Sequence, residues 1–85
     1  MLGTLEKNDR SLLILADTIQ RLKKIRLEKG ISHEVLAKLA GISRPAISHI
    51  EKGKRKPTLM MALKMAHGLG TPLSSVLKEA EDACR

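Results

Sequence analysis

The chain has 85 residues, a formal net charge of +7 and no aromatic side chain. Such a length allows one small domain, which buries only about 60% of its unfolded surface, and is expected to leave no room for a separate sensor or catalytic domain. The single cysteine, Cys84, excludes an intrachain disulfide and a cysteine metal cluster, and without Trp, Tyr or Phe there is no platform for stacking unpaired bases, which argues against a single-strand or RNA binder.

Residues 1–8 are read as a flexible N-terminal segment and residues 9–83 as a single domain. The best apolar run, Leu12 to Ala16, is ended by Asp17. It is too short for a signal-peptide core of about 7–15 residues or a bilayer span of about 20, so no membrane is expected and the chain is read as cytoplasmic.

Glycines and capping residues cut the remainder into helices. The first is predicted from about Asp9 to Lys29, with Leu12, Leu15, Ile19, Leu22, Ile25 and Arg26 at helical spacing and Gly30 as its stop. Ser32 then caps a second helix, His33–Ala40, whose Leu36, Leu39 and Ala40 are predicted to face inward. After Gly41, Ser43 caps a third helix from Arg44 to about Lys52, with Pro45 tolerated in the first turn. A basic loop, Lys54-Arg55-Lys56-Pro57, leads to Thr58, the cap of a fourth helix running to about Leu69. Its core face is read as Leu59, Ala62, Leu63, Ala66 and Leu69. Beyond Gly70, Thr71 and Pro72 form a cap and first turn for a last helix with Leu73, Val76, Leu77 and Ala80 inward. No period-2 stretch is long enough for a strand, so the fold is predicted to be all-α, a compact five-helix bundle.

The charge is unevenly placed. Residues 21–64 carry twelve basic and three acidic side chains, a balance of +9, whereas residues 1–20 and 65–85 each carry −1. A polyanion is the natural partner of such a middle, because each neutralised phosphate releases condensed counterions; a lysine-rich surface that merely aids solubility is the alternative.

Within that middle lie two short helices joined through Gly41-Ile42-Ser43, a helix-turn-helix pattern. Ala37 allows close approach of the second helix, Gly41 accepts a positive φ, and Ile42, Ile47 and Ile50 face inward. Together with Arg26, Gly30, Ile31, Ser32, Leu36, Ser48, Glu51, Gly53 and Pro57, these residues closely resemble the phage-repressor/Cro-type (XRE class) helix-turn-helix family of bacterial and phage transcription regulators. The resemblance covers about residues 19–77. It implies a lambda-repressor-like five-helix fold that places its third helix in the major groove of double-stranded DNA. It further implies that Arg26 pairs with Glu51 and fixes the recognition helix to its scaffold. The family usually has Gln at the first position of helix two, clamping phosphate and bracing the recognition helix; here that position is His33.

At about 100° per residue, Ala46, Ile47 and Ile50 share one side of the third helix, and Pro45, Ser48, His49 and Lys52 point away from it. Base reading is therefore assigned to Arg44 at the leading end, then His49 and Ser48, with Pro45 against a thymine methyl. Phosphate contacts are assigned to His33, Ser43, Lys52, Lys54, Arg55 and Lys56. Histidines 33, 49 and 67 and Cys84 form no metal signature. With no phosphate-cradling glycine loop and no nucleophile–base motif, neither an enzyme nor a cofactor is expected.

Apolar side chains in excess of a core, Met60, Met61 and Met65 on helix four and Leu12 and Leu13 on helix one, are read as an interface for a homodimer. The expected function is a sequence-specific regulator on a palindromic operator, of prophage-repressor or restriction–modification-controller type. The alternative is an antitoxin that neutralises a protein partner and represses its own promoter.

Overall fold

The computed structural model describes residues 9–85; the segment expected to be flexible, residues 1–8, lies outside them. Five helices follow one another: α1 (Arg10–Glu28), α2 (His33–Ala40), α3 (Arg44–Glu51), α4 (Leu59–Gly68) and α5 (Leu73–Ala83), with no strand among the described residues. None of these helices is long and apolar enough to cross a membrane.

The predicted punctuation is observed at most of the boundaries. The predicted caps Ser32, Ser43 and Thr58 each accept a hydrogen bond from a first-turn amide, satisfying donors that have no partner inside the helix, and Asp9, expected as the first helical residue, does the same from just before α1. At the turn between α2 and α3, Gly41 adopts φ +69° and the amides of Gly41 and Ile42 both return to the Ala37 carbonyl. An L side chain at that φ is strained, which is why glycine stands there. The start of α5 differs from expectation: its cap position is Pro72, with no side-chain acceptor. Thr71 instead directs its amide to the Ala66 carbonyl, so it closes α4 and does not open α5.

One core joins the helices. Ile19 and Leu22 of α1, Leu36 and Ala40 of α2, Ile47 and Ile50 of α3, Ala62, Met65 and Ala66 of α4, and Leu73 and Val76 of α5 are all buried in it. α1 packs against α5, and its first residue reaches that helix's far end: Arg10 donates to the Glu81 and Cys84 carbonyls at 3.2 Å. α2 rests on α3 and α4. The α2–α4 contact is close because Gly68 lacks a side chain; a Cβ there would lie 3.1 Å from the Ala40 amide nitrogen and the Leu36 methyl.

Three inward assignments, on two helices, are corrected. Leu39 is 52% exposed, because α2 buries only the arc through Leu36 and Ala40 against its neighbours. On α4 the buried side is Ala62, Met65, Ala66 and then Leu69, while Leu59 and Leu63 are 68% and 48% exposed. The inner face is thus rotated by roughly 60° from the one the leucines mark. Small residues let α4 approach α2, and the flexible Met65, fully buried, fills the space left beside them. Met65 is therefore core and is withdrawn from the predicted dimer interface.

Candidate nucleic-acid interface

Helix α3 is held by one face and free on the other. Ala46, Ile47, Ile50 and Glu51 are buried, whereas Arg44, Pro45 and His49 are exposed and Ser48 is half-buried. The burial of Ala46, Ile47 and Ile50 follows from sequence spacing, since apolar residues three and four apart share one side of a short helix; that of Glu51 does not. Ser43 accepts a hydrogen bond from the Ala46 amide at 3.3 Å, so its hydroxyl already serves as the cap that starts the helix.

Below α3, a buried polar cluster locks its C-terminal end. The Arg26 guanidinium donates to both Glu51 carboxylate oxygens, Nε to Oε2 at 2.8 Å and Nη2 to Oε1 at 2.9 Å. Its remaining arm, Nη1, donates to the Ile31 carbonyl at 2.8 Å, in the turn before α2. Three elements, α1, that turn and α3, are thereby joined through one side chain. His33 Nε2 lies 2.9 Å from Glu51 Oε1 and adds the N-terminus of α2 to the set. Burial by itself pushes the Glu51 carboxyl up, but the hydrogen bonds from Arg26 and His33, with the Arg26 charge, outweigh it and hold the group below the usual carboxylate range. No buried side-chain nitrogen or oxygen among the described residues lacks a partner, as a buried ion pair requires if it is to be tolerated.

The Arg26–Glu51 pair is the one the family resemblance implies, whereas the sequence assigns His33 only to phosphate. The structure brings His33 onto Glu51, where it braces the end of α3. A contact across eighteen residues of chain has no local signature, and the departure from Gln was the one available clue.

Beyond α3, Lys52, Lys54, Arg55 and Lys56 are all exposed. None forms an ion pair with an acid among the described residues, and Arg55 leans its guanidinium on the Met61 sulfur at 3.7 Å. A shallow groove of about 240 Å³ separates this loop from the first half of α1, with Leu12, Leu15, Ile19 and Ile50 among the residues lining it. Together α3 and the loop present exposed cations, Arg44 at one end and Lys52, Lys54, Arg55 and Lys56 at the other, on an element bonded to its scaffold from below. Among the described residues no group of three or more His, Cys, Asp or Glu is arranged to hold a metal.

Of the residues assigned to self-association, Leu13 and Met60 are exposed, Leu12 and Met61 are half-buried, and Met65 is in the core. The exposed apolar face of α4 instead consists of Leu59, Met60 and Leu63, two of which sequence spacing had placed inside.

Comparison with known proteins agrees with this geometry. A helix-turn-helix family model matches residues 22–76. The uncharacterized HTH-type transcriptional regulator YqaF of Bacillus subtilis is 47% identical over 49 residues, covering 58% of this chain and 64% of that protein. The corresponding regulator MJ0272 of Methanocaldococcus jannaschii is 37% identical over 62 residues, covering 73% of this chain and 94% of that protein. The match thus spans just under two thirds of YqaF but nearly all of the archaeal relative. The crystal structure of the wild-type restriction-modification controller protein C.Esp1396I superposes with a TM-score of 0.70 at 31% identity, over 79% of this chain and 90% of that one. A two-helix motif with a glycine turn, a supported second helix and these relatives together place the chain in the XRE-type helix-turn-helix family of DNA-binding transcriptional regulators.

Proposed function

We propose that the chain is a sequence-specific regulator of transcription that reads double-stranded DNA with α3 in the major groove. The observation that carries this reading is the two-faced support of α3. Its inner face and its C-terminal carboxylate are buried and bonded, while Arg44, Pro45, Ser48 and His49 are left accessible. Arg44 reads a guanine through O6 and N7, worth about 1–3 kcal/mol of discrimination. His49, Ser48 and Pro45 add the neighbouring contacts. Lys52, Lys54, Arg55 and Lys56, with His33 and Ser43, grip the backbone phosphates and set register without specifying sequence. Such a protein needs no catalytic group or cofactor, and DNA places its work in the cytoplasm.

The chain acts as a homodimer. Leu59, Met60 and Leu63 form an exposed apolar face on α4 that suits a second copy of the chain, and a symmetric pair would match a palindromic operator with half-sites about 34 Å apart. Leu12, Leu13 and Met61, also assigned to the interface by sequence, are secondary to it. Between the prophage-repressor and restriction–modification-controller types, likeness over most of a controller protein supports the second.

Selection of duplexes from a random pool tests the reading. A recovered palindrome supports it, and recovery of unrelated sequences overturns it. Light scattering that gives the monomer mass at all concentrations, with and without the selected duplex, overturns the dimer.

A further inference from the structure

The bracing histidine has an unused nitrogen. Glu51 is held ionised by its buried partners, and an ionised carboxylate only accepts hydrogen bonds. The proton between Glu51 Oε1 and His33 therefore belongs to Nε2, and His33 is the donor of that 2.9 Å bond. In the neutral ring Nδ1 is then a bare acceptor, and it alone can take up a further proton. Nδ1 has no hydrogen-bond partner among the described residues, yet no buried, unpartnered side-chain nitrogen exists there, so solvent reaches it.

Position makes that nitrogen consequential. The ring is bonded to the last residue of α3, next to Lys52 and the cationic loop, and stands on the first turn of α2, where unpaired amides add positive potential. The charged groups facing it are Glu51 from α3 and, behind that carboxylate, Arg26 from α1. On its own helix, Glu34 is turned toward Lys38 at 4.0 Å. A phosphate oxygen arriving at the exposed edge meets a lone pair on the neutral ring, which repels it. On the protonated ring it meets an N–H donor carrying charge.

We propose that His33 couples duplex binding to the uptake of one proton at Nδ1, the ring bridging Glu51 and a backbone phosphate. The family's Gln offers amide hydrogens at any pH. Histidine makes the same bridge conditional on acidity, so the chain grips its operator more tightly as pH falls. The inference rests on the DNA-reading role of α3.

The test is the affinity of the full chain for its selected duplex from pH 8.0 to 6.0 at constant ionic strength, for wild type, His33→Gln and His49→Gln. One linked proton limits the gain to about tenfold per pH unit; the expected gain over this range is about five- to twentyfold. His33→Gln keeps a donor for Glu51 and is expected to bind with an affinity that varies less than about twofold, while His49→Gln keeps the wild-type slope. Calorimetry in two buffers of different ionisation heat should record proton uptake for wild type and none for His33→Gln. Independently of any variant, the His33 ring resonances should titrate at higher pH in the complex than in the free protein. A flat wild-type profile, a wild-type slope in His33→Gln, a slope lost only in His49→Gln, or a His33 titration unmoved by DNA each overturns the proposal. If no duplex is enriched by selection, it is the DNA-reading role itself that fails.

Discussion

Charge is used in opposite ways at the two faces of α3. Underneath, Arg26 and Glu51 form a bidentate pair that is almost wholly withdrawn from water; on top, Arg44 and the Lys52–Lys56 row are exposed. A buried charge must be matched within the molecule, so it contributes to shape. An exposed cation adds little to stability and keeps its field for a partner. The basic balance of +9 in the middle of the sequence is therefore not one feature. Arg26 belongs to the scaffold, and the cations just beyond α3 form a surface.

Removing a scaffold charge should have the largest effect. Glu51→Ala leaves the Arg26 guanidinium buried without its partner and is expected to cost about 3–5 kcal/mol of stability, measured by urea unfolding. DNA binding falls with it, as a consequence of unfolding. Normal stability with lost binding would erase the distinction between the two faces.

Helix α4 offers the same contrast without charge. Met65→Ala opens the core and is expected to cost about 2–5 kcal/mol. Met60→Ala, on the exposed face, should change stability by less than about 0.5 kcal/mol and weaken only self-association, read by sedimentation. Equal costs would mean that the exposed methionine is as firmly packed as the buried one.

Acid should expose the buried face gradually. Because the folded-state pKa of Glu51 is lowered, its contribution is fully present above the ordinary carboxylate value, about 4.3 when unfolded. It is lost as pH falls through the lower folded value. Wild type should therefore lose stability through and below pH 4 more steeply than Glu51→Gln, which has no such carboxylate. Parallel acid profiles would show that the cluster does not stabilise the ionised form.

The smallest effect on folding, and the most informative on binding, belongs to the loop. Replacing Lys54, Arg55 and Lys56 by alanine should leave stability nearly unchanged and weaken all sequences alike. It should also reduce the slope of log affinity against log salt by roughly one for each phosphate that is no longer neutralised.

Much of this was legible from the chain. Each boundary from Asp9 to Thr58 is written in local chemistry, a hydroxyl or carboxylate followed by a free amide, or a glycine at positive φ. The two faces of α3 follow from the spacing of Ala46, Ile47 and Ile50. What local pattern could not show was which side of α4 would turn inward. Leucines outrank methionine in a simple reading, yet packing against Ala40 and Leu36 required small residues, and Met65 followed them inside. The Arg26–Glu51 pair was available only through family resemblance, and the third bond, from His33, depends on a tertiary distance that no spacing encodes.

In the proposed reading the free face of α3 chooses sequence, while its buried face anchors the helix to the scaffold. The most direct measurement of that division is duplex selection with wild type and Arg44→Ala in parallel, with the unfolding free energy of both. The predicted result is unfolding energies equal within about 0.5 kcal/mol, with preference relaxed by about 1–3 kcal/mol at one base pair of each half-site. Uniformly weaker binding to every sequence, or unchanged preference at every position, would contradict it.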